Sequence, residues 1–277
     1  VLNAARPASP HTQAGHPAPP GLFSVLPHPV DPEAHFLSLD GAKALNTPGL
    51  REVRDALEHC MGQRTMLCLT GPSGTGKTFA VRALLPVLAP HGHHRLQLRA
   101  QPDPGDLRFA LHHTLALDHE PPKDPGVADA LITHALRAQR PVLAVDEAQQ
   151  LSNACFEYVR HLFDSSGGLT IVLIAGHRGE GVLAKQRMLT SRTGARVTLT
   201  LLNRHDIPPA IRNLHPLWQT VHPAVLHTAD ARYGQGNLRR WACLTRHAQR
   251  ALTRTDSTGL APALITTLLD RLTPRPW

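Results

Sequence analysis

The stretch GPSGTGKT at residues 71–78 constrains this chain more than any other, because such a loop works only between a buried strand and a helix. Its glycines let backbone N–H groups turn inward around phosphates, its lysine reaches the terminal phosphates, and its hydroxyl serves magnesium. Gly71, Pro72, Ser73, Gly74, Thr75, Gly76, Lys77 and Thr78 are therefore the expected cradle. The flanks agree. MLCLT at 66–70 reads as a short buried strand, and 78–85 continues as a helix that Pro86 should end.

A second stretch, PVLAVDEAQQL at 141–151, supplies what a phosphate cradle alone lacks. Residues 142–145 form an apolar run suited to a parallel strand buried on both faces, so Asp146 should emerge at the strand's C-terminal edge, where the loop also lies. Asp146 and Thr78 are then the expected magnesium ligands. Glu147 is placed to polarise the water that attacks the γ-phosphate. The expected cofactors are ATP and Mg²⁺, and the expected reaction is hydrolysis of ATP to ADP and phosphate.

Three more strands are expected, at 94–99 (HRLQLR), 169–175 (LTIVLIA) and 195–201 (ARVTLTL). Thr47-Pro48 reads as a helix start, with Leu50, Val53, Leu57 and Cys60 on one face. Further helices fall near 105–117, 127–138 and 153–163, the first two separated by the break DHEPPKDP. Five strands alternating with helices predict an α/β fold: a five-stranded parallel sheet covered on both faces, over 35–203. From 204 to 277 only helical patterns occur, near 206–214, 222–233, 237–252 and 260–272, predicting a small all-α lid. In its third helix Leu238, Trp241, Ala242, Thr245, Ala248 and Leu252 share a face, opposite Arg239, Arg240, Arg246 and Arg250. Residues 1–34, rich in Pro, Ala and His, are expected to be a disordered arm.

Charge narrows the partners. With 29 basic and 21 acidic residues the chain carries +8 and a pI near 10.0, which favours a polyanion such as double-stranded DNA. Arg99 and Arg108, leaving the second strand and entering the next helix, are candidate phosphate contacts. Cys60, Cys68, Cys155 and Cys243 show no metal spacing and read as reduced core residues of a cytoplasmic protein. His91, His93, His94, His112 and His113 lack a second ligand pair, so no structural metal is expected. No stretch is long and apolar enough for a membrane, and Val1 in place of Met points to a processed, trimmed or non-standard start.

Taken together, the phosphate loop, the Asp-Glu strand end and the helical lid resemble the AAA+ ATPases over about residues 35–272. The resemblance implies roles for further residues. Gly236-Asn237-Leu238-Arg239 is similar to the sensor 2 opening of a lid helix, which implies that Arg239 reaches the γ-phosphate. Arg192 stands where that family projects an arginine finger into a neighbour's ATP, with Arg187 and Arg196 as alternatives. His177 stands near the sensor 1 position, which in the family carries Asn, Thr or Ser. The wordings DEAQ and GNLRRW look most like the DNA-transposition ATP-binding proteins of the TniB/TnsC/MuB type. That implies a homo-oligomer with shared ATP sites that assembles on DNA, recruits a transposase and selects target DNA. Alternatives are a nucleotide-gated switch or scaffold of signalling or secretion type, and a replication initiator or helicase loader.

Overall fold

The computed structural model describes residues 23–26, 30, 39–90, 92–117, 120–255 and 259–273. Two short strands come first, β1 (Ser24–Val25) and β2 (Leu45–Asn46), paired antiparallel. The α/β unit follows with α1 (Pro48–Gln63), β3 (Met66–Thr70), α2 (Lys77–Leu88), β4 (His93–Leu96), α3 (Pro104–Thr114), α4 (Pro125–Gln139), β5 (Val142–Val145), α5 (Asn153–Ser165), β6 (Thr170–Ile174), α6 (Gly179–Lys185), α7 (Arg187–Thr190) and β7 (Thr193–Thr198). Its five strands form one parallel sheet in the order β4-β5-β6-β3-β7. The phosphate loop leaves β3, whose sequence successor β4 lies at the far edge. That reversal is where open α/β sheets bind ligands.

Both faces of the sheet are covered, as the continuous apolar strands require. One face packs Leu67, Leu69, Ala144 and Val172 beneath α1 and α2, with Val53, Leu57, Val81 and Leu84. The other packs Cys68, Val145, Ile171 and Leu173 against α3, α4 and α5 through Leu107, Leu111, Ile132, Leu136, Phe156 and Leu162. The helix ends are set by local chemistry. Thr47 caps α1 by accepting from the Leu50 N–H at 3.1 Å, and Asp103 and Asp106 form a reciprocal capping box on α3.

Two elements differ from the sequence expectation. Helix α2 runs past Pro86 to Leu88, because the proline falls in the last turn and Ala89 closes the helix on the Leu85 carbonyl at 2.8 Å. Strand β4 stops at Leu96 and not at Arg99, because Leu96 already pairs with the last residue of β5, Val145, and nothing lies beyond it.

The C-terminal region expected to be a lid contains α8 (Ile207–Leu214), α9 (Pro223–Ala229), α10 (Leu238–Thr255) and α11 (Pro262–Leu272). The helix expected over 222–233 runs as α9 to Ala229 and continues without a break as a π-helical stretch, Asp230–Gly234. Trp218 and Trp241 meet edge to face at 5.4 Å in the centre of its core. Phe23 and Leu45 join that core. Residues 23–26, read from sequence as part of a disordered arm, are thus packed here; apart from Val30, the rest of the arm lies outside the described residues. Cys60, Cys68 and Cys155 are free and buried, and Cys243 is free and half-buried. Among the described residues no helix is long and apolar enough to cross a membrane.

Candidate active site

The loop after β3 is held open by contacts that only glycine permits. A Cβ on Gly71 (φ +137°) would stand 2.2 Å from the Leu199 carbonyl oxygen, and one on Gly74 (φ +82°) 2.1 Å from Asn237 Oδ1. Thr75, buried, ties the loop by donating to the Pro72 carbonyl at 2.9 Å. Lys77 Nζ donates to the Gly71 and Pro72 carbonyls, each at 2.8 Å. Burial lowers its pKa and the charge of Arg239 acts in the same direction, while Glu147 and Asp146 oppose them.

Strand register brings the acidic residues to this loop. Val145 pairs with Leu173, and Leu173 with Cys68, so Asp146 leaves the sheet level with the end of β3. Thr78 Oγ1 then donates to Asp146 Oδ2 at 2.9 Å. The two oxygens are the donors magnesium prefers, a hydroxyl and a carboxylate, so the residues present fit that ion. Glu147 sits at φ +53°, a conformation a non-glycine residue seldom adopts, with its N–H donating to Asp146 Oδ1 at 2.9 Å. Gln149 Nε2 donates to Glu147 Oε2, and Gln149 Oε1 accepts from the Gly176 N–H at 3.0 Å. One side chain therefore spans from the acid after β5 to the end of β6.

The lid closes onto the same loop. Asn237 Nδ2 donates to the Ser73 carbonyl at 2.7 Å, and Arg239 Nη1 to Ser73 Oγ at 3.0 Å. The π-type turn explains their placement, because Asp230 Oδ1 accepts from both the Gly236 N–H (2.8 Å) and Trp241 Nε1 (2.9 Å). The buried indole thus fixes the start of α10. Between lid and sheet lies a cavity of 540 Å³. The loop, Asp146, Glu147 and Arg239 line one part; Lys43, Leu45, Leu50, Leu214, Leu238 and Ala242 line the rest. Leu238, on the expected buried stripe of α10, packs against the lid core and also borders this cavity, as Ala242 does; Leu244, outside that stripe, is buried in the lid core as well.

The remaining sequence candidates lie elsewhere. His177 is exposed beyond Gly176. Arg192 is outside the cavity: its guanidinium holds both oxygens of Asp164, at 2.6 and 2.7 Å, and donates to the Met188 carbonyl. Arg187 and Arg196 are exposed. Arg108 pairs with both oxygens of Asp129, at 2.8 and 3.2 Å, and stacks 4.7 Å over the Tyr158 ring, whose hydroxyl donates to the same aspartate. Arg99 pairs with Asp106 and Asp103 but stays 61% exposed. Residues not singled out from sequence are Asn237, Asp230, Gln149 and the 43–50 wall. Asn237 and Gln149 do lie within the GNLRRW and DEAQ wordings, which were the available signal.

The fold, five parallel strands flanked by helices with the phosphate loop after β3, matches that of P-loop AAA+ NTPases. Residues 57–183, from within α1 to within α6, match the family described as AAA domain. The fold is similar to that of the Thermotoga maritima RuvB Holliday junction branch migration motor, at 19% identity and TM-score 0.58, over 80% of this chain and 68% of that one. It is also similar to the Aeropyrum pernix ORC2 protein, at 13% identity and TM-score 0.66, over 82% of this chain and 68% of that one. A third likeness is to Aeropyrum pernix ORC1 in complex with DNA, at 17% identity and TM-score 0.60, over 80% and 64%. No curated protein matches the chain in sequence.

Proposed function

We propose that this chain binds and hydrolyses ATP, assembles head to tail so that neighbours complete each other's sites, and acts on double-stranded DNA to regulate transposition through a transposase. The observation that carries the ATPase reading is the Thr78–Asp146 contact at 2.9 Å, beside Lys77 and Glu147 in a cavity large enough for a nucleotide. The base belongs among Leu45, Leu50, Leu214, Leu238 and Ala242, and the phosphates belong in the loop at 71–78. Lys77 exchanges its two carbonyl partners for phosphate oxygens. Thr78 and Asp146 would hold Mg²⁺, which supplies positive charge to the phosphate oxygens when bound. Glu147, steadied by Gln149, orients the attacking water, and His177 assists from the end of β6. Arg239 faces the terminal phosphate from the lid, where a guanidinium stabilises charge that develops during transfer.

The arginine given to the neighbour comes from the stretch 187–196. Asp164 already engages Arg192, so the exposed Arg187 at the start of α7 is the better donor, with Arg196 as the alternative. Support for DNA comes from the +8 charge and from the likeness to ORC1 in complex with DNA. Arg99 remains a candidate phosphate contact; Arg108, closed by Asp129, does not. The transposition assignment rests on the DEAQ and GNLRRW wordings. The ORC likenesses favour a second reading, a replication initiator or loader on DNA.

The test is Glu147→Gln, followed by ATPase rate, nucleotide affinity and electron microscopy on duplex DNA with ATP. Turnover should fall about 10²- to 10³-fold with ATP affinity kept, and the assembly should persist on DNA. Wild-type turnover in the variant would remove Glu147 from the chemistry. A chain that stays monomeric with ATP and DNA would refute the assembly.

A further inference from the structure

A second cavity, of 320 Å³, adjoins the first at the Asp146–Glu147 corner. Arg82, Asp146 and Glu147 line both cavities, so the smaller opens from the phosphate end of the larger. Its other walls include Arg95, Gln97, Arg99 and Gln150. Three guanidiniums therefore gather in a space adjoining the phosphate end of the nucleotide cavity.

The fold explains two of them. Arg95 stands opposite Ala144 in the β4–β5 register, and Ala144 packs in the layer beneath α1 and α2. Its side chain therefore rises on the face that α2 covers, toward Arg82. Burial depresses Arg95 and the like charge of Arg82 adds to this, with only Asp146 opposing. Arg82 and Arg95 share this chamber with the carboxylates of Asp146 and Glu147, and a small oxyanion entering it meets both guanidiniums at close range. Arg99, paired with Asp103 and Asp106, stands at the solvent mouth.

We propose that this cavity receives inorganic phosphate after hydrolysis: the ion passes Glu147, is held by Arg82 and Arg95, and leaves past Arg99. The inference rests on the ATPase reading above. Hydrolysis forms a bond from the water oxygen to the γ-phosphorus and breaks that phosphorus's bond to the bridging oxygen, yielding ADP, phosphate and a proton. No further reactant is required. A chamber of 320 Å³ admits a tetrahedral oxyanion and excludes a DNA duplex.

The experiment is calorimetric titration of inorganic phosphate into the full chain saturated with ADP, which keeps the phosphate off the loop at 71–78. ADP affinity is measured first, so failure of the nucleotide reading is seen separately as loss of ADP binding. Wild type should bind one phosphate. Arg95→Ala should weaken that binding about tenfold or more, as loss of a charge-assisted contact implies, with ADP affinity unchanged. Arg95→Lys should recover part of it. If Arg95→Ala fails to fold, Arg95→Gln must show the same weakening. No phosphate binding to the ADP-loaded wild type, or equal affinity in the folded Arg95 variant, overturns the proposal. So does displacement of the phosphate by a short duplex, which would make the site a DNA contact.

Discussion

Two regions of this molecule use arginine in opposite ways. At the C-terminal edge of the sheet, Arg239 crosses from lid to phosphate loop and meets a serine hydroxyl, while Arg82 and Arg95 gather beside the acids after β5. On the α3–α5 side, Arg108 and Arg192 each hold both oxygens of an aspartate of this same chain. The difference lies in which partner the fold sets opposite each cation. A bidentate carboxylate satisfies a guanidinium in place, whereas Arg82 and Arg239 line the cavity proposed for the nucleotide. The +8 charge therefore overstates the cations available to DNA, and position in the fold decides which ones count.

The sharpest way to break this comparison is at its centre. Lys77→Ala removes the cation that reaches the phosphates, and nucleotide affinity should fall about a hundredfold or more. Titration with a fluorescent ADP derivative measures it. The same protein, mixed with Arg187→Ala, should regain turnover, since each variant supplies what the other lacks. Unchanged ADP affinity would remove Lys77 from the cradle, and absence of recovery would remove Arg187 from the neighbour's site.

Next in size is Arg239→Ala, which should lower turnover by about tenfold to a hundredfold with folding unaffected. Asp230→Asn probes the same arm from behind. It keeps the shape but weakens the acceptor for the Gly236 N–H and Trp241 Nε1, so turnover should fall less than in Arg239→Ala. Steady-state ATPase rates rank the two. A larger loss in Asp230→Asn would mean that it acts through the lid core and not through Arg239.

Much of the arrangement at the sheet's C-terminal edge was legible in the sequence because its motifs are local. GPSGTGKT carries its own strand and helix, and an apolar strand ending in Asp-Glu leaves little freedom about where Asp146 emerges. What was hidden depends on distant pairing. Nothing near Arg192 in sequence announces Asp164, and nothing near Arg108 announces Asp129; both pairs form only once α3, α4, α5 and α7 have packed. The 43–50 wall was invisible for the same reason, since Lys43 and Leu45 meet the lid through Leu214 and the lid core. Periodicity over 222–233 suggested one helix, which does run on to Gly234, but its last turn is π-helical, where Asp230 accepts from the Gly236 N–H and Trp241 Nε1.

The carboxylate-closed region should answer in stability and leave nucleotide binding unchanged. Arg108→Ala leaves Asp129 half-buried with only Tyr158, and should cost about 1–2 kcal/mol. Denaturant titration reads this loss, and duplex DNA affinity should stay at the wild-type value. A stable variant with weakened DNA binding would put Arg108 among the anion-seeking arginines.

The smallest effect is expected at the pair formed by Arg192 and Asp164, whose side chains are 23% and 39% exposed. Solvent screens such a pair, so Arg192→Ala should cost no more than about 1 kcal/mol. Its pH dependence identifies it. The hydrogen bond from Arg192 is the largest influence on Asp164 and holds its carboxyl below the usual aspartate value. A depressed folded-state pKa gives stability that is present above the unfolded value, about 3.9, and is lost as pH falls through the folded one. The wild-type advantage over Arg192→Ala should thus be full at neutral pH and shrink in strong acid. Thermal melts across that range decide the matter. An advantage independent of pH would mean that Arg192 stabilises through Met188 and packing alone, and that its charge remains available to a neighbour after all.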